Sequence, residues 1–340
     1  RFGYSGPLFY SAAGEEQRVN YIEKYRDSVV MVKIERHTKG LDHERKEVRV
    51  YQEVGHGSGF LTESHDPDYV WFITNRHVAG GNPDADERYR LFIGPGEEVS
   101  VEEVIAHPTL DIARLKVRRT GRVATLPALT LAHTLPRQGE DVIAMGSPLH
   151  GKKDTVTEGI VSSTPEPDET RLNPYAPLIG TSANIYHGNS GGALVSLRTG
   201  EVVGVNTMIE FDPGVGAPGY AIPTTEILLF IEHAELFQVI ENVFAPIELS
   251  RNRGETPVAE AYAQALVLFG AAVDRYCTQQ GIADRAGFTA ALAAESGIKF
   301  YFKGAMGYDV MSIDERKKFD AVYATTLGVP AGTLAGKARS

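Results

Sequence analysis

The stretch Gly188-Asn189-Ser190-Gly191-Gly192 sets one serine among glycines. A serine hydroxyl is a weak nucleophile at neutral pH. A hydrolase that uses one exposes it beside a base and beside donors for the oxyanion that develops during attack. Flanking glycines let the backbone turn tightly and admit a substrate carbonyl. In this reading residues Gly188, Asn189 and Ser190 form an oxyanion hole, with the N–H groups of Gly188 and Ser190 pointing inward. Each such donor supplies roughly 3 kcal/mol of transition-state stabilisation. A glycine-rich hairpin turn with an incidental serine has the same local sequence, so the partners elsewhere in the chain decide.

The base has to be a histidine on a rigid element. Phe72-Ile73-Thr74-Asn75-Arg76-His77-Val78 places His77 just after a run that reads as a buried strand. The orienting acid has to be flanked by apolar residues, and Asp111 is, in Leu110-Asp111-Ile112-Ala113-Arg114-Leu115. Neither residue says much alone. The order His77, Asp111, Ser190 constrains all three jointly.

Around these residues the chain alternates short runs rich in Val, Ile, Thr and aromatics with Gly, Pro and Asp turns. Strands are expected near Val29–Glu35, Lys46–Glu53, Gly57–Thr62, Tyr69–Thr74, Tyr89–Ile93, Val99–Ala106 and Ile112–Val117. After a break near residues 118–138 they resume at Asp141–Gly146, Thr155–Ser163, Leu178–Thr181, Ala193–Leu197, Glu201–Met208 and Gly219–Ile222. Many short strands between turns argue for a sandwich or for barrels, and the break suggests two six-stranded units in tandem. Glu15–Tyr25 has a helical period, and the period returns from Thr224. After a joint at residues 250–255, Thr256-Pro257 reads as an N-cap with proline in the first turn. Val258, Ala261, Tyr262, Ala265, Leu266, Phe269, Val273, Tyr276 and Cys277 then share one helical face. Ser312-Ile313-Asp314-Glu315 is a capping box that opens a last helix to about Leu327.

Several of these stretches together resemble the HtrA (Deg) branch of the chymotrypsin-like serine proteases. They are Gly57-Ser58-Gly59-Phe60-Leu61, Thr74-Asn75-Arg76-His77-Val78, Asp111-Ile112-Ala113-Arg114-Leu115-Lys116, Thr155-Val156-Thr157-Glu158-Gly159-Ile160-Val161-Ser162, Gly188 to Leu194, and Tyr220-Ala221-Ile222-Pro223. The resemblance spans roughly residues 27 to 231. It implies an all-β core, a chymotrypsin-like double six-stranded β-barrel, with an N-terminal helix and a C-terminal α-helical domain. The expected divisions are an extension over 1–26, a protease domain over 27–249 (barrels about 27–120 and 137–224, then a helix), and a small helical domain over 254–340. By the same resemblance Ser190 attacks the scissile carbonyl of a protein or peptide substrate, His77 moves the proton, and Asp111 orients His77.

The specificity pocket, again by resemblance, lies between Asn184–His187 and Asn206–Glu210, near Pro218–Tyr220. No aspartate sits six residues before Ser190, which disfavours a preference for Lys or Arg. Asn184, Ile185, Asn206, Thr207, Met208 and Ile209 are the expected substrate-binding residues, suiting a small or medium aliphatic side chain. Glu210 and His187 depart from the family's usual aliphatic residue and proline. HtrA enzymes commonly carry PDZ domains after the protease, but residues 254–340 are helical and Ala-rich. They are either a packing appendage or a regulatory, oligomerisation or docking module.

Composition narrows the alternatives. The 340 residues are 42% hydrophobic and 23% charged, with a formal net charge of −10, which disfavours binding to phosphate backbones. The charge divides as −12 over residues 1–250 and +2 over residues 251–340. A single cysteine, Cys277, excludes an intramolecular disulfide. It sits on an apolar helical face, which suits a structural role. No apolar run approaches the ~20 residues that span a bilayer. No His-Glu-x-x-His motif points to a metalloprotease, the Asp-rich segments 65–68 and 84–87 read as surface loops, and no metal or cofactor is expected. The chain opens at Arg1, consistent with a removed targeting segment, and a bacterial periplasmic or secreted location is expected, with cytoplasm open. A homo-oligomer, a trimer by family analogy, could use residues 1–25. Three functions fit the same residues: an endopeptidase acting on unfolded or flexible segments, a latent or inactive protease-fold binding or chaperone protein regulated through the helical module, and an esterase.

Overall fold

Alternating and fully apolar runs become strands where a second sheet face or a barrel interior can cover them. The computed structural model describes residues 12–41, 47–80, 87–147, 155–164, 178–186, 188–209, 219–304, 308 and 311–334. The chain divides into two compact units. The first comprises Arg1–Val104, Ile112–Thr164 and Ile179–Thr225; the second comprises Ile105–Asp111, Pro165–Leu178 and Glu226–Ser340.

The first unit opens with helix α1 (Ala12–Tyr25) and strands β1 (Val29–Leu41), β2 (Glu47–Thr62) and β3 (Tyr69–Thr74). A short helix α2 (Arg76–Ala79) precedes β4 (Glu87–Gly94), β5 (Glu97–Ser100), β6 (Glu103–Ala106) and β7 (Ala113–Arg118). These seven strands form one sheet in the order β5-β4-β1-β2-β3-β7-β6. Two expected strands, near 46–53 and 57–62, are one continuous strand, β2. A register shift opposite Ile34/Glu35 lets the chain bend there without breaking. The expected strand 99–106 is instead split into β5 and β6. At its corner Val101 N–H donates to Tyr89 O on β4, and Glu102 N–H donates to Lys116 O on β7. Both edges of the sheet are therefore joined through the same few residues of chain, which is how this half curls without a separate closing pair. Phe60, Phe72, Ile73, Leu91 and Leu115 are fully buried within it.

The second half of this unit is a closed barrel of six strands in the order β10-β13-β12-β11-β8-β9. These are β8 (Asp141–Gly146), β9 (Thr155–Ser163), β10 (Ile179–Thr181), β11 (Ala193–Ser196), β12 (Val202–Ile209) and β13 (Gly219–Pro223). Val142, Ala144, Val161, Ile179, Leu194 and Val203 fill its interior. Helix α1 lies on this barrel: Arg18 pairs with Glu158 at 2.6 Å, and the Tyr21 ring sits over Gly200.

The second unit is helical: α3 (Leu228–Glu232), α4 (Ala234–Asn252), α5 (Val258–Gln280), α6 (Arg285–Ala294), α7 (Ser296–Gly304) and α8 (Ile313–Leu327). The face expected on α5 is buried from Ala261 to Cys277, but Val258, at the helix's first position, is exposed where the opening turn is uncovered. Phe244 of α4 stacks on Tyr301 of α7 with centroids 3.8 Å apart, and Phe302 meets Phe244 and Phe269 edge-on. Such pairs contribute about 1 kcal/mol each beyond the area they bury. The capping box forms as expected, with Ser312 N–H donating to Glu315 Oε2 at 2.8 Å and Glu315 N–H to Ser312 Oγ. The expected cap at Thr256 does not form: Pro257 occupies the N-cap, in an extended conformation, and Thr256 Oγ1 bonds to Ser250 Oγ at 2.7 Å. None of the described helices is long and apolar enough to cross a membrane.

One buried carboxylate ties two turns of the barrel together. Burial pushes the Glu140 carboxyl up, but bonds from Ser196 Oγ, the Arg137 N–H and Arg198 outweigh it and hold it below the usual range. A carboxyl depressed in the folded state stabilises above its unfolded pKa, and that stability is lost as pH falls through the folded value. Glu140→Gln should therefore cost about 2 kcal/mol at pH 7. Denaturant melts of the two proteins should converge as the pH falls below about 4.

Candidate active site

The backbone of residues 188–192 is fixed by hydrogen bonds from three directions. Asn189 N–H donates to Tyr186 O and Gly192 N–H to Asn189 O, each at 2.9 Å, which closes the turn on itself. Gly191 N–H donates to Asn206 O at 2.7 Å, and Asn206 N–H returns a bond to Gly192 O at 2.9 Å, joining the turn to β12. The third direction is β2. Ser58 N–H donates to Ser190 O at 2.8 Å, and Ser58 Oγ donates to Gly188 O at 2.5 Å. The same hydroxyl oxygen accepts the Ser147 N–H at 2.8 Å, and Thr74 Oγ1 donates to Ser58 O at 2.6 Å.

Gly191 is required by this contact. Its φ is +87°, and a Cβ there would overlap the Ser58 carbonyl and the Thr74 hydroxyl. Gly188 also has a positive φ, +94°. This set of bonds uses the Asn189 N–H, which closes the turn on Tyr186 O, and does not include those of Gly188 and Ser190. The Asn189 side chain is fully buried, with Oδ1 accepting from Thr155 Oγ1 at 3.2 Å. A neutral amide is suited to that burial, since a carboxylate would need a buried cation.

Ser190 is half-buried, and its hydroxyl donates to Thr207 O at 3.4 Å, a long and therefore weak bond. His77 is exposed on α2, directly after β3, where the fully buried Asn75 accepts the Val78 and Ala79 N–H groups on its carbonyl. Asp111 is half-buried between the buried Leu110 and Ile112, just before β7. Strands β3 and β7 are antiparallel, with Thr74 opposite Ala113. His77 thus leaves β3 at the end where the chain from Asp111 enters β7.

The expected specificity residues separate. Asn184 is exposed, with its carbonyl accepting from Thr157 Oγ1 at 2.6 Å. Ile185 is buried in the barrel's apolar core against Gly219 rather than lining an open surface. Asn206 is fully buried and acts as a strut, its Nδ2 donating to Met145 O and Ala193 O. Thr207 presents its carbonyl to Ser190. Met208 and Ile209 pair with Tyr220 and Gly219 at the end of β12. The side chains of Met208 and Ile209 lie outside the described residues, as do His187, Glu210, Pro218 and residues 84–86.

Comparison with known proteins bears on this geometry. Residues 57–205 match a family described as trypsin-like peptidase domain. The mitochondrial serine protease HTRA2 of Bos taurus is 35% identical over 184 residues, covering 54% of this chain and 37% of its own length. HTRA2 of Drosophila grimshawi is 36% identical over 183 residues, covering 53% and 39%. Residues 57–205 thus match a trypsin-like peptidase domain, and about half the chain is similar to HtrA serine proteases. The chain spans under half the length of these curated relatives. Among solved structures, the HtrA-type protease AlgW with decapeptide is 28% identical, covers 64% of this chain and 68% of its own, and has a TM-score of 0.49.

Within the peptidase domain, Ser58, which sits in the quoted Gly57-Ser58-Gly59, has no role expected from sequence, and Asn206 is expected in substrate binding rather than in the strut its amide forms. A strand serine between glycines carries no local sign that its hydroxyl will meet a loop 130 residues away. Ser58→Ala removes one donor to Gly188 O and one acceptor for Ser147 N–H while leaving the Ser58 backbone bonds. The expected result is a fall in kcat of about tenfold to a hundredfold with KM little changed. Inhibition by a peptide aldehyde, whose adduct needs the oxyanion hole, should weaken in parallel.

Proposed function

We propose that this peptidase domain hydrolyses peptide bonds in protein substrates, in unfolded or flexible segments, through an acyl-enzyme. The observation that carries the reading is the clamped loop, in which Ser58 and Asn206 hold the backbone on both sides of Ser190. Ser190 Oγ attacks the scissile carbonyl and His77 takes its proton. The oxyanion forms against the N–H groups of Gly188 and Ser190. His77 then protonates the leaving amine, and water, deprotonated by His77, attacks the acyl-enzyme and frees Ser190. Asp111 orients the imidazole and stabilises its charged form. The substrate's side chain beside the scissile bond lies near Asn184 and Thr207, with Ile185 shaping that wall from behind. Met208 and Ile209, beyond the part of β12 that pairs with β11, offer the backbone along which the peptide runs. The protein works in the periplasm or as a secreted protein, and it assembles as a homotrimer.

One observation favours a second reading, a latent protease fold. The Ser190 hydroxyl is directed at Thr207 O, so it has to rotate before it can pass its proton to a base. In that reading the resting cleft binds without cutting, and a signal releases the hydroxyl. Casein hydrolysis and fluorophosphonate labelling, each by the parent protein and by Ser190→Ala, separate the two. The endopeptidase reading expects hydrolysis and labelling in the parent, and loss of hydrolysis by about 10⁶-fold in Ser190→Ala. A folded parent protein that neither cuts nor labels contradicts it.

A further inference from the structure

The helical unit includes a short upstream segment, Ile105–Asp111, whose last residue is the carboxylate of the proposed triad. His107 is the centre of this attachment. Its ring is fully buried, edge-on to Phe230 with centroids 5.1 Å apart and tilted against Phe237 at 4.9 Å. Its Nδ1 accepts the backbone N–H of Thr109 at 3.1 Å and of Leu110 at 2.9 Å. Two donors converging on Nδ1 leave that nitrogen unprotonated, so the ring proton is on Nε2. Nε2–H then donates to Glu295 Oε1, 3.1 Å away at the junction of α6 and α7. Beside it, Thr109 Oγ1 donates to Gly297 O at 2.9 Å. Gly297 is a glycine for a steric reason, since a Cβ there would overlap His107 Cε1.

Packing alone does not explain Glu295. Burial holds its carboxyl well above the usual range, Glu226 pushes the same way, and Lys299 opposes them. Its Oε2 has no hydrogen-bond partner among the described residues. A buried acid with one oxygen unmet lowers stability, and a leucine would fill the space at no such cost. What Glu295 does that a leucine cannot is accept a hydrogen bond from His107 Nε2–H and so fix the ring that holds the turn before Asp111.

We propose that Glu295, acting through His107, is a positioning residue for Asp111 and through it for turnover. The proposal rests on the triad reading above. An orienting carboxylate works through geometry, and a misplacement of about 1 Å can cost on the order of a hundredfold in rate. The turn of residues 107–111 is held at one end by the helical unit and ends at the carboxylate, so loosening the first displaces the second.

The test separates the turn from its attachment. His107→Asn keeps an acceptor at the δ1 position for the Thr109 and Leu110 N–H groups but cannot reach Glu295. Glu295→Ala removes the acceptor for Nε2–H, and Glu295→Gln restores one. With fluorescein-labelled casein, His107→Asn and Glu295→Ala should lower kcat by about tenfold with KM within about twofold, and Glu295→Gln should stay within about threefold of the parent. In an Asp111→Ala background, His107→Asn should cause no further loss, because the residue it positions is gone. Thr109→Val cuts the bond to Gly297 O and the longer 3.5 Å contact with His107 Nδ1, and leaves the aromatic packing whole; it should lower kcat in the same direction and serves if another variant fails to fold. Folded His107→Asn, Glu295→Ala or Thr109→Val with the parent's kcat overturns the proposal, as does a full His107→Asn loss on top of Asp111→Ala. Unchanged turnover in Asp111→Ala itself overturns the triad reading and this proposal with it. Loss in Asp111→Ala alone overturns only the attachment.

Discussion

Two hydrogen bonds from Ser58, one from its N–H to Ser190 O and one from its hydroxyl to Gly188 O, hold the loop around Ser190 against β2. Much of the peptidase domain can be understood as what makes that contact possible. Thr74, at the end of β3, fixes the Ser58 carbonyl, and Ser147, just past β8, donates to the Ser58 hydroxyl. The loop reaches this position only because Gly191 has no side chain and adopts a conformation that other residues resist. From the opposite side, β12 grips the loop through Asn206. Strands from the seven-stranded sheet and from the closed barrel thus meet on five residues of backbone. A nucleophile needs that rigidity, because stabilisation of an oxyanion comes from donors already aimed before the charge appears.

The elements with local signals were legible in the sequence. Alternation and β-branched runs located the strands, the Ser312 capping box located α8, and the apolar stripe from Val258 to Cys277 located the buried face of α5, save for the exposed Val258 itself. His77, Asp111 and Ser190 stood out because each sits at the end of such an element in a distinctive short motif. What was not legible depends on contacts far apart in the chain. The β2 strand reads as two because Val54 and Gly55 look like a turn, yet pairing with β1 carries the chain straight through with a register shift. Ile185 is placed beside the pocket by the family resemblance alone, and no local signal shows that its side chain joins the barrel's apolar core. Thr256 has the chemistry of an N-cap, but the nearby Ser250 hydroxyl takes its bond. At β2 and at Thr256 tertiary structure overrides a sound local preference.

The helical unit shows the same contrast more sharply. Charge and texture marked its tail as a separate module, and nothing in the tail pointed upstream to His107. The unit nonetheless takes in residues 105–111, and its least economical feature, a buried acid with an unmet oxygen, lies at that junction. Buried ionisable groups are retained where a specific geometry depends on them more than stability does. That places the interest of Glu295 in the geometry of the turn before Asp111.

The central claim is that the loop around Ser190 is built to receive an oxyanion. A crystal structure of the protein treated with a peptide boronate tests it most directly. The account predicts a covalent bond from Ser190 Oγ to boron and a boronate oxygen about 3 Å from the nitrogens of both Gly188 and Ser190, with Gly188 O still on Ser58 Oγ. A boronate that leaves Ser190 unmodified at saturation would contradict it, as would an adduct in which the Gly188 N–H points away from the boronate oxygen.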